Sequence, residues 1–340
     1  MNNLKGENMI NLKKVGLTAL AGSLVATSAF AGAMSVNGTA KFTYTADTGA
    51  NDNKHDGNRF GMNQALSFSG SGELDNGHSV SLLHVMSADG GGKSTSALTY
   101  DMGAMGSLKY QQDSGSLGIG VIDDLTPTAD EEVWNGLSHT ADATAANSPN
   151  GKVSGGTTGF GYTYSTDMIT AYAGYSPKSD SDSTADGSNG TGTLQSSSSI
   201  AVVVTPMDGL TVFAGTGKTG NSDGVNEDDH DTFGATYAYG PVTVGYQYSE
   251  IDDGTTSTTS DVETDAYSIS FAVNENLSIS YGERTTEREG QTLDQEISGF
   301  SVGYSMGGIS LKAHQNEGKN IRQAANQTSE HTEIAISFAF

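Results

Sequence analysis

Apolar side chains return at every second residue through most of this 340-residue chain. The C-terminal stretch shows the pattern plainly. Ile334, Ile336, Phe338 and Phe340 alternate with Glu333, Ala335, Ser337 and Ala339. A strand with period two has one apolar face and one face of small or polar groups. Over Ser35–Ala46, Val36, Ala40, Phe42 and Tyr44 oppose Asn37, Thr39, Lys41 and Thr43. Over Arg59–Leu74, Phe60, Met62, Leu66 and Phe68 oppose Arg59, Asn63 and Ser67. The same reading predicts strands at Ser79–Ala88, Thr95–Gly103, Ser107–Asp113, Gly155–Ser165, Met168–Ser176, Ser197–Thr205 and Leu210–Thr219. It continues with Asp231–Tyr239, Val242–Ile251, Thr264–Val273, Leu277–Thr286, Glu296–Met306, Ile309–Asn316 and Glu330–Phe340. The count is about sixteen, all expected to be antiparallel neighbours.

The connections alternate between tight turns and long loops rich in Ser, Thr, Asp and Gly. Asp75-Asn76-Gly77, Gly240-Pro241 and Gly307-Gly308 are turns, whereas Lys178–Gly192, Gly220–Asp231 and Asp252–Asp261 are loops. An even number of strands with this asymmetry is what a transmembrane β-barrel requires. Pro127, Pro149, Pro177, Pro206 and Pro241 fall in turns, loops or strand ends, where no ladder donor is lost. The tyrosines fall within the strands, and so do the phenylalanines after the N-terminal segment. Near strand ends they would form interfacial girdles.

Composition then decides between two readings. Hydrophobic content is only 35%, and there are 45 glycines. Such a chain is either partly disordered or a barrel whose interior is water, and the periodicity favours the barrel. No stretch after residue 31 is long and apolar enough for a transmembrane helix. The formal net charge of −24 excludes a basic nucleic-acid footprint. With no cysteine, neither disulfides nor thiolate metal sites are available. Lys5, Lys13 and Lys14, the apolar run Val15–Ala26 and the small-x-small Ala29-Phe30-Ala31 predict a secretory signal peptide over residues 1–31. Residues 32–340 are then one barrel domain, with translation starting at Met1 or Met9.

The stretch Met34-Ser35-Val36-Asn37-Gly38-Thr39-Ala40-Lys41-Phe42 resembles the first strand of general porins of Gram-negative bacteria, especially the alphaproteobacterial type. Phe340 resembles the terminal aromatic by which outer-membrane barrels are recognised for assembly. The resemblance implies a sixteen-stranded homotrimeric barrel, with a long third loop folded inward to narrow the pore. Outer-membrane lipids and lipopolysaccharide would surround it, and small hydrophilic solutes and ions would pass through it.

Residues 114–153 would be that third loop. They carry Asp123, Asp124, Asp130, Glu131 and Glu132, and the only tryptophan, Trp134. Ile119-Gly120-Val121-Ile122 and Trp134 are expected to pack on the wall, turning the carboxylates toward the aperture. Strand parity places Lys41, Arg59, Lys109, Arg284 and Lys312 on the lumen side, because a lipid-facing charge at mid-bilayer costs about 2–4 kcal/mol. Arg59 and Arg284, near strand ends, have the rim as an alternative. Acidic loop facing basic wall would give a transverse field at the constriction. Solvated surface charge is the competing reading for both sets.

The run Asn226-Glu227-Asp228-Asp229-His230-Asp231 is the densest acidic cluster and the weak candidate for a bound calcium ion, through Glu227, Asp228, Asp229 and Asp231. Its spacing matches no EF-hand loop. His55, His78, His84, His139, His230, His314 and His331 are dispersed, with no HExxH and no GxSxG, so an enzyme is disfavoured. The expectation is a general-diffusion channel without a cofactor. A substrate-specific channel for a sugar or an anion, or a secreted β-rich adhesin, are the alternatives.

Overall fold

The computed structural model describes residues 34–49, 57–87, 93–113, 116–137, 153–156, 158–178, 196–220, 227–254 and 261–340. The expected signal peptide and parts of the long loops lie outside the described residues. The strands are β1 (Ser35–Gly49), β2 (Phe60–Glu73), β3 (Ser79–Ser87), β4 (Lys93–Asp101), β5 (Ser107–Asp113), β6 (Gly159–Ser165), β7 (Ile169–Ser176) and β8 (Ser197–Met207). They continue as β9 (Leu210–Gly220), β10 (Glu227–Tyr239), β11 (Val242–Asp253), β12 (Val262–Ala272), β13 (Leu277–Arg288), β14 (Gln295–Met306), β15 (Ile309–Lys319) and β16 (Thr328–Ala339). Each pairs antiparallel with its sequence neighbours, and β16 closes on β1.

The cross-strand register assigns every side chain to a face. Inward positions run, for example, from Lys41 through Ser337 of β16 and Ser310 of β15. One residue on, the outward row holds Phe42, Ile336 and Leu311. Phe42, Ile200, Ile269, Phe300, Leu311 and Ile334 are each 45–57% exposed or close to it. A water-soluble monomer rarely leaves so continuous an apolar belt uncovered. Aromatic rings gather in that belt: Phe42 stacks on Phe60, and Tyr246 packs on Tyr267 at 4.9 Å between ring centres.

Closure satisfies the backbone as hydrocarbon demands, since no strand edge is left over. At the seam, Gly38 N donates to Phe340 O at 2.7 Å and Phe340 N donates to Gly38 O at 3.0 Å. The Phe340 ring lies over Gly38, where a β-carbon would collide with it. The terminal residue thus completes the ladder.

Two local expectations fail. The strand expected from Gly155 starts at Gly159, because Gly155 and Gly156 run beneath the third loop and against Ser176 and Ser199. The acidic run expected as a loop from Gly220 to Asp231 is strand from Glu227 onward. Period two then sends its carboxylates to opposite faces. Asp228 and His230 point inward and are buried, whereas Asp229 lies outward and pairs with Lys218 at 2.9 Å. Glu227 and Asp231 share the outward parity of Asp229, so the four carboxylates do not converge as a calcium loop would need. Among the described residues no group of three His, Asp or Glu is placed to hold a metal ion.

The two faces differ in tolerance. Ile269→Arg, on the lipid side of β12, should destabilise the folded barrel by about 2–4 kcal/mol. Ser81→Arg, on the lumen side of β3, should change stability far less. Urea titrations of the barrel folded into lipid vesicles measure both.

Candidate functional site: the pore and its inward loop

The third loop runs between β5 and β6, and of its described parts, residues 116–137 and 153–156, the first travels around the inside wall. The 3-10 turn Gly118–Ile122 rests on β7, β8 and β9. Ile119 N donates to Ser199 Oγ at 3.1 Å. Leu125 N donates to Gln247 Oε1 of β11 at 2.8 Å, and Gln247 Nε2 donates back to Ile122 O at 2.8 Å. Ala129 N donates to Ser280 Oγ of β13 at 2.9 Å. Asn316 of β15 donates from Nδ2 to Asn135 O at 2.9 Å.

Small residues on the wall make this close approach possible. A β-carbon added at Gly245 would lie 2.3 Å from Pro127 Cδ, and one at Gly282 would lie 2.9 Å from Val133 Cγ1. Gly174, Gly215, Gly299 and Gly303 are likewise inward glycines beneath the loop. Each removes a side chain where the loop must touch the sheet. Apolar contact adds to this. Ile119 and Ile122 are fully buried in one apolar cluster with Val153, Ala201, Phe213, Ile251 and Val262. Phe213 therefore faces the lumen, unlike the lipid-facing aromatics.

The expected docking through Ile119–Ile122 thus has its counterpart in the structure, but the expected direction of two carboxylates does not. Asp124 faces the wall, 3.3 Å from Arg284 Nη1, with side chains only 4% and 2% exposed. Trp134 Nε1 also donates to it, at 3.4 Å. Asp130 lies 3.1 Å from Lys312 Nζ and 2.9 Å from His314 Nδ1. These carboxylates anchor the loop instead of facing the aperture. Carboxylates covered by the loop's own docking need cationic partners, because an unpaired buried charge is costly. Burial pushes the Asp130 carboxyl up, but the hydrogen bonds from His314 and Lys312 outweigh it and hold it below its ordinary 3.8. Glu131 accepts from Asn135 Nδ2 at 3.4 Å, while Asp123 and Glu132 are half-buried.

The five expected wall cations therefore separate. Arg284 is buried beneath the loop, not at the rim. Lys312 is tied to Asp130. Lys41 faces the lumen and pairs with Glu333 at 2.7 Å. Arg59 precedes β2 and donates from Nη1 to Tyr44 Oη at 3.2 Å, which takes it to the outward rim. Lys109, alone of the five, lines a recess of about 770 Å3 on β2–β5, away from the described part of the loop.

Sequence reasoning missed the buried histidines. His314 and His331 stack at 5.3 Å between ring centres, and His331 Nδ1 lies 2.5 Å from Asp47 Oδ1. Gly136 of the loop passes directly over the His331 ring. Their inward parity was readable, but their contact with the loop was not.

A family model described as Gram-negative porin matches residues 16–320. The chain belongs to the Gram-negative porins. This porin is an outer-membrane channel, and its fold agrees with solved structures of low sequence identity. OmpT of Vibrio cholerae is 12% identical, with a TM-score of 0.62 over 90% of this chain and 97% of its own. A mutant of Rh. blastica porin is 17% identical, with a TM-score of 0.60 over 91% of this chain and 100% of its own. A porin of Comamonas acidovorans described as anion-selective is 15% identical, with a TM-score of 0.63 over 91% and 99%. A search of curated proteins returned no match.

Arg284→Gln leaves Asp124 buried without its cation and should cost about 3 kcal/mol. The loop should loosen, giving noisier single-channel currents in planar bilayers at unchanged barrel content by circular dichroism. Gly245→Val should push Pro127 off the wall and lower single-channel conductance. The depressed Asp130 carboxyl stabilises the anchored loop above pH 3.8, and the contribution is lost as the pH falls through the lower folded-state value. Current noise should rise only below pH 3.8, and Asp130→Asn should remove that transition.

Proposed function

We propose that this porin passes small hydrophilic solutes and ions by general diffusion, filtered by size and charge. The observation that carries the reading is the one-sided course of the third loop. Its described part follows the inner wall from β7 to β16, and among the described residues a recess lies beside β2–β5. That wall is faced by Ser71, Ser81, Thr95 and Thr99, whose hydroxyls replace the water of a polar solute. Transport in this reading runs down a gradient and needs neither cofactor nor catalysis. Outer-membrane lipids, with lipopolysaccharide, wet the apolar belt.

We further propose that the barrel is a homotrimer packed through the outward face of β2–β5. The register aligns Phe68, His84, Ser96 and Gln112 as one outward row across these strands. His84 Nδ1 is 2.7 Å from Ser96 Oγ. Most outward positions at comparable depth elsewhere are apolar, such as Val202, Val244, Ile269 and Ile334. Polar groups facing hydrocarbon are costly, and contact with another copy removes that cost.

Swelling of proteoliposomes in sugars of increasing size tests the channel. Rates should fall smoothly with solute mass and not saturate with concentration. Vesicles that stay impermeable would sink the reading, and saturable uptake of one solute would replace it with a specific channel. For the trimer, chemical cross-linking in membranes should give a three-copy band. His84→Arg, placing a fixed charge in that row, should weaken the band at least several-fold.

A further inference from the structure

Among the described residues, one of the five wall cations, Lys109, has no carboxylate partner. Arg284, Lys312 and Lys41 are each held by an acidic partner, and Arg59 is drawn to the rim. Lys109 has neither ion pair nor hydrogen bond among the described residues. It lines the recess from β5, and its stem passes over Gly161 beside Leu117 of the third loop.

Its neighbours are hydrogen-bond donors. Directly opposed inward positions run Ser71, Ser81, Thr99, Lys109 across β2–β5. Adjacent strands lie about 4.8 Å apart, so these groups form a lateral row across the wall. Thr95 and Gln111 line the same recess. Among the described residues that line it there is no carboxylate, and in the register Asp113 stands opposite Thr95. In the register, the inward Glu73 and Asp101 sit one row nearer the turns, and Asp101 is engaged by Gly103 N at 2.8 Å.

We propose that Lys109 and the hydroxyls beside it form a transit site for small oxyanions, carboxylate or phosphate, within the open half of the pore. The ammonium supplies the charge, and Ser81 and Thr99 supply donors to the remaining oxygens. A half-buried cation is less screened than one in bulk water, so an anion dwells there briefly. The row also faces the lumen across from the wall that the described part of the loop follows. This proposal rests on the channel reading and makes a strongly acidic protein locally selective for anions.

Planar-bilayer recordings in potassium chloride test it, using the parent protein, Lys109→Gln and Lys109→Arg, each checked for folding by gel mobility before and after boiling. Inorganic phosphate or acetate in the millimolar range should reduce the parent's chloride current, while glucose at equal concentration should not. Lys109→Gln should weaken that block several-fold and shift the reversal potential in asymmetric salt toward the potassium value. Lys109→Arg should keep both properties. Block requiring Lys109 by either oxyanion supports the site, the two arms telling phosphate from carboxylate. Equal block in Lys109→Gln and parent, or equal block by glucose, overturns it. A parent protein without conductance overturns the channel reading instead.

Discussion

In hydrocarbon the backbone has no water to bond, so every amide and carbonyl must find a partner within the protein. That constraint dictates most of this molecule. A ladder of sixteen strands closed from β16 onto β1 leaves no edge, and the last residue pairs with Gly38 to finish it. Once the ladder closes, the side-chain period of two has one consequence everywhere: each residue meets either lipid or lumen. The low hydrophobic content of the chain is then a property of the architecture, since only half of each strand needs to be apolar.

The third loop obeys a different physics. Inside the barrel it meets a wall of polar and small groups, so it is held as a soluble core is held. Ile119 and Ile122 bury apolar surface, Gln247 and Asn316 satisfy loop backbone, and Arg284 and Lys312 neutralise Asp124 and Asp130. Inward glycines bring backbone and loop within contact distance. The price of this attachment is electrostatic: Asp124, Asp130, Arg284 and Lys312, which would have contributed to a field across the aperture, are consumed in fixing the loop. Among the described residues the two walls differ, one followed by the loop and the other hydroxylated and bearing Lys109.

Much of the fold was legible because period two is a local signal. The strands and their turns follow from alternation and from residues such as Asp75-Asn76-Gly77, with boundaries differing by a few residues. The acidic run at Glu227–Asp231 has the polar composition of a loop yet forms strand, with His230 and Asp228 sharing the inward parity of Thr232. Alternation between two faces persists even where neither face is apolar. Phe213 was unremarkable for the same reason: an inward aromatic differs from an outward one only by what covers it.

The sequence by itself determined the alternation of faces along most strands, the sense of Lys41, Lys109 and Lys312, and the length and acidity of the third loop. These depend on a covalent period and need no knowledge of distant contacts. Only the tertiary structure decided that Asp124 meets Arg284 and Asp130 meets Lys312 and His314, across gaps of many strands in the chain. Such partners are chosen by closure, which brings residues remote in sequence onto one curved wall. Which cations remain available to a passing solute is therefore a property of the closed barrel, and not of any segment alone.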